Sequence, residues 1–134
     1  MHCLEGKTIT QIELASDKKA IRFTVDADEW IIAKAFGDCC SDTWIEHIEL
    51  PAAGLPAKVL SVVDLDLLGS TDDDCLKVYG FKIATDKGDI IIDYRNESNG
   101  YCGGDLYWPG DYHSGGVYGQ NNSTEEYAPL TGDV

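Results

Sequence analysis

Basic residues are scarce in this chain. Ten lysines and arginines stand against 24 aspartates and glutamates over 134 residues, for a formal charge of −14. Such a field repels nucleic acid and anionic lipid surfaces, so neither direct nucleic-acid binding nor membrane binding is expected. It favours cations or a basic partner instead. Solubility alone also accounts for such a balance, and mimicry of nucleic acid by carboxylates is a sharper reading of the same field. No apolar run is long enough to span a bilayer. Met1-His2-Cys3-Leu4-Glu5 has neither the basic start nor the apolar stretch of a secretory leader, so a cytoplasmic, non-secreted protein is expected.

Paired cysteines are lacking as well. Cys3, Cys39, Cys40, Cys75 and Cys102 make an odd count with no C-x-x-C spacing, which fits a reducing compartment and argues against both a disulfide framework and a zinc site. No cofactor is implied. Hydrophobic content is nevertheless 43%, enough for a folded domain despite the acidity.

The patterning that is present is that of strands. Residues 8–15 and 20–25 flank the turn Ser16-Asp17-Lys18-Lys19. Ile21, Phe23 and Val25 alternate with Arg22 and Thr24, the signature of a half-buried strand. A third strand over Trp30–Phe36 completes an antiparallel meander. Trp44–Leu50 fits a strand better than a helical turn, although Ser41 or Asp42 would cap such a turn. Strands over 57–68, 75–85 and 89–95 follow, the last two joined across Asp86-Lys87-Gly88. Ile90-Ile91-Ile92 is a continuous apolar run, as in a strand covered on both faces. Asn99-Gly100 is the strongest two-residue hairpin signal in the chain and is expected to fold Tyr101–Leu106 back onto Tyr94. The expected fold is thus all-β: about seven mainly antiparallel strands in a sandwich or partly open barrel, with at most one short helix.

From Asn96 onward there is no lysine or arginine, and five of the seven tyrosines lie from Tyr101 on. The expected division is a compact β domain over 1–106 and a Gly/Tyr-rich acidic segment over 107–134. The tyrosines of that segment suit it to docking on its own core or on a neighbouring subunit.

Candidate chemistry falls into a few places. Asp38-Cys39-Cys40, with His47 nearby, has metal-binding residue types but adjacent cysteines chelate one ion poorly. A cysteine nucleophile with His47 or His113 as base lacks any surrounding signature. Asp72-Asp73-Asp74 and Asp26-Ala27-Asp28-Glu29 lack the alternating ligands and terminal glutamate of a calcium loop. The stretch Tyr94–Gly104 is richer. Arg95, Asn96, Ser98 and Asn99 supply donors and acceptors beside Tyr101, and Gly100, Gly103 and Gly104 permit close backbone approach to a ligand. A plain hairpin turn with Arg95 in an ion pair explains the same residues.

Together G-K-T-I near the start, G-D-C-C-S with T-W-I-E-H, and Y-R-N-E-S-N-G-Y-C-G-G resemble a family of small uncharacterised domains scattered through phage and bacterial genomes. The resemblance covers about residues 5–106. Relatives usually carry a second aromatic after S-N-G-Y, where this chain has Cys102. It implies a fold and a genomic setting, and no activity. By analogy with small phage accessory proteins, the expected function is non-catalytic binding in the cytoplasm of a host cell. The expected partner is a nucleotide-like small ligand or the basic surface of a host defence protein. Arg95, Asn96, Ser98, Asn99 and Tyr101 are the candidate binding residues, with Asp38, Cys39 and Cys40 as a second cluster. A structural or virion assembly protein with a subunit-linking tail, forming a homo-oligomer, is the alternative. A metal- or cysteine-dependent enzyme is the third.

Overall fold

The computed structural model describes residues 3–26, 29–37, 41–70, 76–98, 104–109, 117–120 and 127–130. These form ten strands: β1 (Thr8–Ala15), β2 (Ala20–Val25), β3 (Glu29–Gly37), β4 (Ser41–Glu49), β5 (Ala57–Ser70), β6 (Leu76–Thr85), β7 (Gly88–Ser98), β8 (Gly104–Tyr107), β9 (Val117–Gln120) and β10 (Tyr127–Pro129). The protein is all-β, and no helix occurs among the described residues. The first seven strands follow the apolar alternation and turn residues of the sequence closely. Trp44–Glu49 resolves to strand, within β4, and Leu50 follows its end.

All pairings between strands are antiparallel. The order β4-β7-β6-β5-β1-β2-β3-β8 makes one open sheet, with β10 added beside β1 and β9 beside β3. β5 belongs to both halves of this path. Its first two residues pair with β1, Ala57 opposite Ile9 and Lys58 opposite Thr8, and Val59 continues the seam with backbone hydrogen bonds to Gly6 and Lys7. From Val59 onward it pairs with β6, with register irregularities at three places. Such bulges bend a strand and increase its twist, which suits a 14-residue strand that has to serve two halves.

Both halves bury one face in the same core. Ile12, Ile21, Phe23, Val25 and Ile31 from the β1-β2-β3 half lie in one cluster with Ile45, Ile48, Phe81, Ile83, Ile90, Ile92 and Tyr94 from the other. Trp108, just past β8, joins the halves directly. Its ring stacks on Phe23 at 5.5 Å and meets Phe81 edge-on at 5.6 Å. Phe81 stacks in turn on Tyr94, and Tyr94 on Tyr79. The short β6–β7 turn depends on Gly88, whose φ of +124° is unfavourable to a side chain.

Three expectations need correction. Leu106 does not fold back onto Tyr94, because β7 is already paired along Tyr94 by β4 on one side and β6 on the other. With both its edges filled, β7 has no place for a third neighbour, and β8 pairs with β3 instead, Leu106 opposite Ala35. The β2 strand is not half-buried: all six residues are buried, Arg22 and Thr24 included. Ile90 and Ile92 are fully buried but Ile91 is only partly so, giving β7 an inner and an outer face rather than two covered ones.

Candidate functional site

Of the residues singled out in the sequence, Asp38, Cys39, Cys40, Asn99 and Tyr101 lie outside the described residues, and Ser98 is described by its backbone alone. Their described neighbours are informative. Ser41, which follows Cys40, is the register partner of Ser98, which precedes Asn99. Gly37, which precedes Asp38, is the partner of Gly104. The two stretches therefore leave the described strands at the same corner of the molecule.

At that corner Arg95 and Asn96 do not act together. Side chains of successive strand residues point to opposite faces, and β7 places Tyr94 and Asn96 inward and Arg95 outward. Asn96 is buried and accepts a hydrogen bond from the Thr43 hydroxyl at 2.8 Å, Thr43 being its register partner on β4. Arg95, a third exposed, lies 3.5 Å from the Glu46 carboxylate. The Trp44 indole N–H donates to the other oxygen of that carboxylate at 2.7 Å. Glu46 occupies a register irregularity between Ile45 and His47, which aims it across the outer face toward Arg95. The outer group Trp44–Glu46–Arg95 and the inner pair Thr43–Asn96 are thus separated by the sheet.

A second polar cluster, on the outer face of β1 and β2, went unnoticed in the sequence. Arg22 and Glu13 are register partners. Arg22 donates from Nε to Glu13 Oε1 at 2.9 Å and from Nη2 to Oε2 at 2.8 Å, a bidentate pair in which both residues are more than nine-tenths buried. The guanidinium carbon lies 3.7 Å from the Trp30 ring centre and 4.0 Å from that of Tyr127, so the Arg22 cation is held between two aromatic rings. Arg22 Nη1, Thr24 Oγ1 and Trp30 Nε1 are buried without hydrogen-bond partners among the described residues. The signal was available by counting outward from the Ser16–Lys19 turn: antiparallel pairing of its two flanks sets residue 13 opposite residue 22.

The third feature is apolar. Leu60 and Val63 on β5 are 59% and 49% exposed. Beyond Val59, none of the described strands pairs with β5 on the side away from β6. Across the β5–β6 ladder Val63 faces Lys82, which forms an ion pair with Asp89 at 3.5 Å.

Among the described residues no group of three or more His, Cys, Asp or Glu side chains is arranged to hold a metal ion. Cys3 is half-buried, and the other four cysteines lie outside the described residues. No helix among the described residues is long and apolar enough to cross a membrane. Neither a curated protein nor a solved structure matches the chain. One family does match, described as a domain of unknown function, DUF7448, over residues 3–108. The matched span contains β1 to β8 and ends on the core residue Trp108, leaving β9 and β10 beyond it. With most of its length covered by that match, the chain belongs to the DUF7448 family.

Proposed function

We propose that this chain is a non-catalytic binding protein that occupies the basic surface of a partner protein and thereby blocks it. The observation that carries this reading is the pairing of exposed apolar residues with a strongly acidic chain. Leu60 and Val63 stand out on a β5 edge unpaired by any described strand, on a molecule of charge −14. Apolar side chains at the centre of a contact supply affinity once they are desolvated. The acidic field around them steers a basic partner in and repels acidic ones. The bulges of β5 and the net charge discourage edge-to-edge pairing of this strand with its own copies, which leaves it to a partner of opposite charge.

A pocket for a small ligand built jointly from Arg95 and Asn96 is the weaker reading. The two side chains are on opposite faces and each has a protein partner, Glu46 for one and Thr43 for the other. A contribution of Asp38, Cys39, Cys40, Ser98, Asn99 and Tyr101 to the same contact surface stays within the proposal, since the strands flanking both stretches meet in register. The likeness of the sequence to domains spread through phage and bacterial genomes supports a host defence complex as the kind of partner.

The test compares the wild-type chain with a Leu60→Asp/Val63→Asp variant in parallel captures from a lysate of the host cell, at low and high salt. The expected result is a basic protein retained by the wild type at low salt, released at high salt, and lost by the variant. That protein, once purified, should bind the wild-type chain directly in a titration. Equal retention by both forms, or a small molecule as the sole companion in native mass spectrometry, overturns the proposal.

A further inference from the structure

β10 rests on a seat built by the rest of the domain. The edge of β1 away from β2 is divided: Thr8 and Ile9 pair with β5, whereas Glu13, Leu14 and Ala15 pair with β10. With three residues, β10 is the shortest of the described strands. Its Ala128 and Pro129 are exposed, and Tyr127 and Leu130 are partly buried. Those two residues engage the two faces of the sheet. The Tyr127 ring covers Arg22 and packs on the cluster of Ala20, Trp30 and Ile32. Leu130 packs against the main core and donates its N–H to the Ile12 carbonyl at 2.9 Å. A short extended segment held by edge hydrogen bonds and alternate side-chain anchors is how peptides add to sheets.

The seat is not satisfied by this occupant. Arg22 Nη1, Thr24 Oγ1 and Trp30 Nε1 can each donate a hydrogen bond, and each is buried without a partner among the described residues. Thr24 and Trp30 are register partners, Arg22 shares the face of Thr24, and its guanidinium stands over the Trp30 ring. The three donors thus belong to one patch, beside the ring of Tyr127. Glu13 already neutralises Arg22, and the whole chain carries −14. The acceptor that suits the patch is therefore uncharged, a carboxamide rather than a carboxylate. The span matched by the family, 3–108, holds Glu13, Arg22, Thr24 and Trp30 and stops short of β10. The seat belongs to the family domain, and its occupant to the segment that follows it.

We propose that the β1 edge over Ile12–Ala15, with the Arg22 patch beside it, is a docking site for an extended segment of a partner protein. That segment carries an aromatic residue next to an asparagine or glutamine. The aromatic takes the place of Tyr127 over Arg22, and the carboxamide oxygen accepts from the unpartnered donors. β10 fills the site from within the chain and is displaced when such a segment binds, so Tyr127–Leu130 acts as a competitor in cis. This surface is separate from Leu60 and Val63 on β5 and does not depend on the function proposed for them.

The probe is a capped synthetic peptide spanning Glu125–Gly132 with Glu125→Gln and Glu126→Gln. It is titrated into the wild-type chain and into the full chain with Tyr127→Ala, whose own β10 has lost its aromatic anchor, while backbone amide shifts locate the contact. The peptide is expected to bind the Tyr127→Ala chain roughly tenfold tighter than the wild type, the order of a desolvated cation–π contact, with shifts at Glu13, Leu14 and Ala15. A peptide with alanine in place of its tyrosine should bind about tenfold more weakly. No binding to the Tyr127→Ala chain, equal affinity for both chains, or shifts that avoid β1 overturns the proposal. So does loss of binding in a Leu60→Asp/Val63→Asp chain, which would assign the peptide to β5. Native-state hydrogen exchange of the wild type needs no variant. The Leu130 amide is expected to exchange at a lower free energy than the amides of β1 that pair with β2. Equal protection would make β10 a permanent strand and overturns the proposal as well.

Discussion

Glu13 and Arg22 face each other across the β1–β2 hairpin and close a bidentate ion pair with almost no exposure to solvent. Two buried charges are tolerable only because each satisfies the other. Arg22→Met strands the Glu13 carboxylate in an apolar setting and should cost about 3–5 kcal/mol. Replacing both, with Glu13→Leu beside Arg22→Met, should recover most of that loss, since a buried ion pair and a well-packed apolar pair are often of similar stability. Urea denaturation of the two single variants and the double variant forms the cycle. A double variant as unstable as the worse single one would show that the pair itself stabilises the fold.

Trp108 touches both halves of the molecule, stacking on Phe23 and meeting Phe81 edge-on. Trp108→Ala should cost about 3–5 kcal/mol, the range for deleting a large buried aromatic. Trp108→Phe should cost much less, because it keeps a ring between the two phenylalanines. If both substitutions cost the same, ring contact is not what holds β8 to the core.

Asn96 and Arg95 of β7 offer a direct contrast, the first tested through its β4 partner Thr43. Thr43→Val removes the hydroxyl that donates to buried Asn96 and should cost about 1–3 kcal/mol. Arg95→Ala breaks a partly exposed ion pair with Glu46 and should cost under about 1 kcal/mol. Thermal melts of the two variants check the order. A larger loss from Arg95→Ala would mean that the outer group Trp44–Glu46–Arg95 is structural.

Leu60→Asp and Val63→Asp should leave stability within about 0.5 kcal/mol of the wild type, as for exposed positions without partners. Chemical denaturation measures it. A large loss would place these side chains in a packed interface within the chain, and the contact surface proposed for them would have to be sought elsewhere.

The parts of the fold legible in the sequence were those set by neighbours along the chain. Alternation in Ile21-Arg22-Phe23-Thr24-Val25 marked a strand, Ser16–Lys19 marked its turn, and Asp86-Lys87-Gly88 marked the turn between β6 and β7. Choices made by distant segments were not legible. Asn99-Gly100 signals a reversal, but it cannot reveal that β7 is already flanked by β4 and β6, which sends β8 to β3. Arg22 alternates like a solvent-facing residue; Trp30 and Tyr127 bury it, and Tyr127 comes from more than a hundred residues away. At the candidate site the residue types in Arg95-Asn96 were visible as polar. Their separation onto two faces followed from the inward placement of Tyr94, fixed by its stacking on Phe81 and Tyr79.

The narrow seam through β5 has a consequence for how the molecule opens. β1-β2-β3 and β6-β7 are built from neighbouring hairpins, whereas Thr8 and Ile9 meet Lys58 and Ala57 only after a loop of some fifty residues has closed. Local hairpins form before such long loops do. Native-state hydrogen exchange should therefore find the amides of β7, bonded on both sides, released only at global unfolding. The amides of Gly6 and Val59 at the seam should exchange at a lower free energy, as the two halves part like a hinged case. Equal protection at the seam and in β7 would mean that the halves never open separately and that the whole sheet is one cooperative unit.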